Sequence, residues 1–174
     1  MGRFGREELE SAFRNYWQTG AVGEDWAGFA DLFTPDALYL EHVLGVRRGP
    51  AEIRTWLEPT MERYCELYTV YEWHVLDPEA DRIVVYMQNR RDHPSGKGAI
   101  DFPGLTILHY AGDGRFDFEE DFWAVPGAQR AFQEYAAAVK EHDPEHQAKR
   151  TRLDWGRGPD WTRGAPSWFE RAGR

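Results

Sequence analysis

Residues 32–56 read LFTPDALYLEHVLGVRRGPAEIRTW. Thr34-Pro35-Asp36 interrupts what precedes it, because proline has no amide proton and its polar neighbours favour turns. The apolar and aromatic run 37–43 then predicts a short strand. That strand ends in an acid and an imidazole, Glu41 and His42. Gly49-Pro50 opens a helix, since the first helical turn leaves amide protons unpaired and proline lacks one. Ile53, Trp56 and Leu57 share one face of this helix, and Pro59 is expected to kink or end it.

The chain on either side follows two different periods. Upstream, Leu9, Ala12, Phe13, Tyr16 and Trp17 form a helical stripe with Gly20 as its expected stop. Trp26, Phe29, Ala30 and Phe33 repeat the stripe in a second helix. From Tyr68 the period becomes two. YTVYEWHVL (68–76) and RIVVYMQNRRD (82–92) read as strands joined by a turn. GLTILHYA (104–111) and RFDFEEDFWAV (115–125) read as two more, joined at Gly112-Asp113-Gly114, a hairpin signal. Pro126-Gly127 opens a last helix carrying Phe132, Tyr135, Ala136 and Val139. The order is helix, helix, strand, helix, four strands, helix. This predicts an α+β fold, with a curved, mostly antiparallel sheet wrapped around the N-terminal helices to enclose a cone-shaped pocket.

Composition narrows the function. Aromatic residues make up 15% of the 174, with eight Trp, and such rings line small-molecule cavities as well as cores. One cysteine, Cys65, excludes an internal disulfide. No apolar run reaches membrane-spanning length and none resembles a secretory leader, so a cytoplasmic protein is expected, with no membrane partner. The formal charge is −9, but residues 149–174 carry +4, leaving −13 on the first 148. An acidic body argues against nucleic acid as a partner. Residues 1–140 read as one domain. Residues 141–174 lose periodicity and form an extended tail rich in Gly, Arg and Trp; its three Trp are expected to dock on the body or on a second chain.

The motifs ESAFRNYW (10–17), LFTPDA (32–37), RGPAEIRTW (48–56), VVYMQNRRD (84–92) and the YAGDG hairpin (110–114) occur in the order found in one superfamily. Over roughly residues 4–140 the chain resembles the nuclear-transport-factor-2-like superfamily, in its SnoaL-like branch. That likeness implies the cone-shaped fold, a homodimer and a small apolar or aromatic ligand, with isomerases, dehydratases and polyketide cyclases among the relatives. Matching the chain to ketosteroid isomerase places His42 at the carboxylate base, Tyr16 at the phenolic donor and Thr106 at the second donor. Matching it to SnoaL-type cyclases places Asp121 at the proton-transferring acid.

The expected site therefore has His42, Asp121 and Tyr16 as catalytic groups. Trp17, Trp56, Tyr86, Asn89 and Trp123 are its walls, with no metal and no cofactor. His42 is expected to face inward and Glu41 outward, since neighbours on a strand alternate. RFDFEEDFW places Phe116, Phe118 and Phe122 on one face and Asp117, Glu119, Asp121 and Trp123 on the other. The acid face is expected inward, with Phe118 and Phe122 between subunits. Which face of 82–92 lines the pocket stays open. His142 and His146 are four apart, but Pro144 interrupts and no third metal ligand is near. The expected function is a cofactor-independent isomerase, dehydratase or cyclase; the alternative is a dimeric module that binds an apolar ligand without catalysis.

Overall fold

The computed structural model describes residues 2–173. Four helices and six strands make up the body: α1 (Arg6–Trp17), α2 (Trp26–Ala30), β1 (Phe33–Glu41), β2 (Gly45–Arg48), α3 (Gly49–Arg63), β3 (Tyr68–Asp77), β4 (Arg82–Asp92), β5 (Ala99–Gly112), β6 (Arg115–Trp123) and α4 (Val125–His142). The strands form one sheet in the order β2-β1-β6-β5-β4-β3. Every neighbouring pair is antiparallel except β1 and β6, which run parallel. The result is a curved, open α+β sheet with a cone-shaped interior.

The stripe of α1 is buried as its spacing requires: Leu9, Ala12, Phe13, Tyr16 and Trp17 all enter the core. They meet Ile83, Val85, Leu108 and Phe116 from the sheet's concave face, in one cluster with Phe29, Phe33 and Tyr39. Each large apolar side chain buried this way contributes ~1.5–3 kcal/mol. A second, smaller cluster joins Ile100 and Phe102 of β5 to Ala128, Ala131 and Phe132 of α4.

Several expectations need correction. Gly20 does not stop α1; the chain continues as a π-helical turn, Gln18–Val22. Gly20 is needed there for closeness, because a Cβ would lie 2.6 Å from the Phe29 ring. Phe33 belongs to β1, not to α2, and β1 starts before the proline. The turn after His42 contains a strand of its own, β2. Pro59 neither ends nor is excluded from α3, which runs on to Arg63. Packing of Ile53 and Leu57 holds this helix through the lost hydrogen bond, and the Thr60 hydroxyl donates back to the Trp56 carbonyl at 2.6 Å. At its start Gly49 has φ +65°, and a Cβ would stand 2.5 Å from the Pro35 carbonyl oxygen, so only glycine fits.

Beyond α4 the tail packs on the body. Trp161 meets Phe13, Tyr71 and His74, and Trp155 meets Tyr68. Phe169, in the short helix α5 (Trp168–Arg171), is 4% exposed. Among the described residues no helix is long and apolar enough to cross a membrane.

Candidate active site

The concave face of β6 presents Glu119, Asp121 and Trp123, and the cross-strand partners of these residues are Leu108, Thr106 and Gly104 of β5. Parallel pairing sets Glu41 of β1 opposite Asp121. All of these but Leu108, with Tyr16 and Trp17 of α1, Trp56 of α3, and Tyr39, Met87 and Asn89 of the sheet, line a cavity of about 250 Å³. That is near the low end for small-molecule sites, which run from ~300 Å³ upward. Trp26, Phe29, Phe102 and Phe132 complete its aromatic character.

Two carboxyl groups dominate the interior. Asp121 accepts hydrogen bonds from the Tyr39 hydroxyl at 2.6 Å and the Thr106 hydroxyl at 2.5 Å. Burial pushes its pKa up from 3.8 to about 6; the two hydroxyls pull it down, and the charge of Glu41 adds to the rise. Glu119 is 1% exposed. Its Oε1 accepts from Tyr16 at 2.7 Å, and its Oε2 has no partner in the protein. Burial, followed by the nearby Asp121 charge, holds its pKa well above the usual carboxylate range. The phenols Tyr16 and Tyr39 are likewise pushed up by burial and by the two acids, so both remain hydroxyl donors. Asp121 is thus raised only to about 6, while Glu119 is held well above the carboxylate range; the two lie two residues apart on one face of a strand and so ~6–7 Å apart along it.

Glu41 plays a different part. It is 4% exposed, and both of its oxygens are used. Oε2 accepts the amide protons of Val43 and Leu44, and Oε1 accepts the Trp123 indole proton. It therefore fixes the β1–β2 turn at the cavity mouth and orients Trp123.

Six of the eight expected site residues meet in this cavity: Tyr16, Asp121, Trp17, Trp56, Asn89 and Trp123. His42 does not. It follows Glu41, whose register with Asp121 claims the concave side, so alternation turns the imidazole outward. Its Nε2 lies 2.9 Å from Glu120 Oε1 and its ring 4.7 Å from Phe122, on the convex face. The expected orientations of Glu41 and His42 are thus reversed, and the imidazole does not line the cavity. Tyr86 is also on the convex face, stacked on Trp73 at 5.3 Å, while Met87 and Asn89 are the β4 residues that line the cavity. The face assigned to Phe116 and Asp117 is corrected by a register shift opposite Tyr110, which buries Phe116 in the core and pairs Asp117 with His109.

The residues that sequence reasoning passed over are Glu119, Glu41 and Tyr39. Glu119 was within reach, because an inward Asp121 commits the residue two positions earlier to the same face. Tyr39 and Glu41 depend on the parallel pairing of β1 with β6, which no local pattern announces. Thr106 was matched to a donor position, and it donates to Asp121.

A SnoaL-like domain model matches residues 6–117. No curated protein matches the chain. Among solved structures, it resembles an LEH-like epoxide hydrolase from M. tuberculosis, at TM-score 0.61 and 14% identity over 78% of this chain and 96% of the other. It is similar to PrhC from Penicillium brasilianum, at TM-score 0.57 and 19% identity over 80% and 96%. The epoxide hydrolase/cyclase-like enzyme SalBIII, described for pyran ring formation in polyether salinomycin, superimposes at TM-score 0.55 and 14% identity over 70% and 94%. At these identities the likeness is one of fold.

Proposed function

The chain belongs to the SnoaL-like domain family, and from that premise we propose that its cavity is a cofactor-independent acid–base active site for a small, largely apolar molecule. The observation that carries this reading is the Asp121–Glu119 pair, two buried carboxyls with different hydrogen-bond partners side by side inside aromatic walls. Asp121 is the base. With a pKa of about 6 it is ionised at neutral pH, yet it is more basic than an exposed carboxylate. Glu119 is the acid. Tyr16 holds its Oε1, and the unpartnered Oε2 is free to carry the proton offered to substrate. Tyr39 and Thr106 orient the base. Removing a proton at one substrate atom while supplying one at another is the common core of isomerisation, dehydration and cyclisation, the reaction classes this site suits. Trp17, Trp56, Asn89 and Trp123 shape the walls. His42 and Tyr86 have no part in it.

The same reading has the protein work as a homodimer joined through the convex face, in the cytoplasm, where its single half-buried cysteine needs no partner.

An uncharged probe tests the base directly. 5-Nitrobenzisoxazole opens to a cyanophenolate when its C3–H proton is removed, the nitrile forming as the N–O bond breaks, and the reaction needs nothing but a base. The wild-type protein should open it at a rate that rises with pH through about 6 and then levels. Asp121→Asn should slow it by ~10²–10⁴-fold, and Glu119→Gln should leave it nearly unchanged because the probe needs no acid. Equal rates for wild type and Asp121→Asn would leave the non-catalytic binding module as the better account.

A further inference from the structure

The cavity acids have no counter-charge. Among the described residues, no Lys, Arg or His side chain lines the cavity, and Glu41, Glu119 and Asp121 have no ion-pair partner. All their hydrogen bonds come from neutral donors: two phenols, a threonine hydroxyl, an indole and two backbone amides. Arg47 stands over the Trp56 ring at 5.0 Å, but its guanidinium donates to the Leu44 and Val46 carbonyls and does not line the cavity. Buried carboxylates are ordinarily paired with a cation, because desolvating an unpaired one is costly. Here the protein leaves that role open.

The walls are suited to fill it. Tyr39 and Trp56 pack edge-on at 5.2 Å beside Asp121, and Trp123 is held by Glu41 next to the same acid. Aromatic faces attract cations, most strongly where water is excluded. The fully buried Glu119 also lines this space with Oε2 unpartnered, so one more polar atom of the wall faces the ligand. A carboxylate or phosphate ligand would meet three acids and no donor cation.

We propose that the cavity takes an organic cation: a small molecule with an apolar or aromatic body and a protonated amine or quaternary ammonium group, held between Asp121, Glu119 and the rings of Tyr39, Trp56 and Trp123. The inference deepens the reading above and rests on the cavity being the ligand site. The cation replaces the proton that burial otherwise favours on Asp121. Binding and protonation therefore compete, and affinity rises with pH. The groups that face Asp121 are Glu41, Glu119, Tyr16, Tyr39 and Thr106, so no basic side chain titrates against it.

Three probes separate the cases: benzyltrimethylammonium, its uncharged carbon isostere neopentylbenzene, and the anion phenylacetate. Binding can be followed through the cavity tryptophans by fluorescence and confirmed by calorimetry. At pH 8 the ammonium should bind about tenfold or more tighter than the isostere, the worth of a desolvated cation–π contact with a charged partner, and phenylacetate should not bind. At pH 5 the preference should fall sharply, an arm that needs no variant. Asp121→Asn should lose the preference while keeping affinity for the isostere. An isostere that binds as tightly as the ammonium at pH 8 overturns the assignment, as does the absence of binding by all three probes at millimolar concentration. Neither outcome touches the acid–base reading, which the uncharged nitrobenzisoxazole probe tests separately.

Discussion

Asp121 and Glu119 are chemically alike and sit two residues apart, yet their surroundings separate them. Asp121 accepts hydrogen bonds from two hydroxyls and its pKa rises only to about 6; Glu119, buried beside the Asp121 charge, is held well above the usual carboxylate range. This arrangement has a stability cost that can be measured. A carboxyl whose pKa is raised in the fold stabilises the fold most below its unfolded pKa, and that contribution is lost as pH rises through the folded value. For Asp121 the window runs from 3.8 to about 6. At neutral pH the penalty is on the order of 3 kcal/mol at most. Asp121→Asn should therefore be more stable than wild type by ~1–3 kcal/mol at pH 7.5 and lose that gain near pH 4, read from urea midpoints at the two pH values. A variant less stable than wild type at pH 7.5 would contradict the raised pKa. Tyr16→Phe should act in the opposite sense. It removes the hydrogen bond that Glu119 Oε1 accepts from Tyr16, so it should cost ~1–3 kcal/mol while leaving probe opening by Asp121 within a few-fold of wild type.

At the scale of elements, periodicity made most of the fold legible. Strands β3 to β6 and helices α1 and α4 follow directly from runs of period two and 3.6. The hidden part was pairing. A strand's own pattern says which residues share a face, not which face turns inward. In 39–42 that choice decides between Glu41 and His42. The parallel β1–β6 ladder makes it, through contacts some 80 residues apart in sequence. In 82–92 the same ambiguity misplaced Tyr86. The tail hid its role for a related reason: without a period it offered only composition. Its structure depends on a buried clamp in which Arg150 and Arg152 both reach Glu24, while Arg152 also donates to the Cys65 carbonyl and its amide to Asp92. Arg152 holds φ +137° and Glu24 φ +49°, conformations tolerated only where surroundings enforce them. The clamp ties together the segments around Ala21 and Tyr64, both of which line the cavity. Glu24→Ala should cost ~3–5 kcal/mol, because it leaves the largely buried Arg152 guanidinium without a counter-charge, while Arg150 keeps its pair with Glu62. Arg152→Ala should cost less, since Arg150 still reaches Glu24. Equal losses in the two variants, measured by urea unfolding, would show that the clamp does not work through its charges.

Over the whole molecule the two faces of the sheet divide the work: the concave side holds the acids, and the convex side carries apolar surface that the described residues leave partly exposed. Trp73, Tyr86, Leu105 and Phe122 are successive cross-strand partners from β3 to β6, forming a row across four strands. Val75, Val84 and Ile107 make a second row beside it. Trp73 is 46% exposed, Val75 55% and Phe122 40%. Exposed apolar patches that run on continuously are uncommon on monomers and mark interfaces. A sheet face presented by one chain is most simply covered by the same face of a second copy, since a two-fold contact needs only one self-complementary patch. The flanking polar groups fit this arrangement: His42 Nε2 lies 2.9 Å from Glu120 Oε1 beside Phe122, so these two groups at the edge of the patch are hydrogen-bonded to each other. Val75→Glu would place an unpaired carboxylate in the middle of the contact and should weaken self-association by ~10²-fold or more, turning a dimer into a monomer in sedimentation at micromolar concentration. Val75 does not line the cavity, so the variant should still open nitrobenzisoxazole with wild-type dependence on pH. A wild-type chain that sediments as a monomer at that concentration would remove the convex face as a dimer interface.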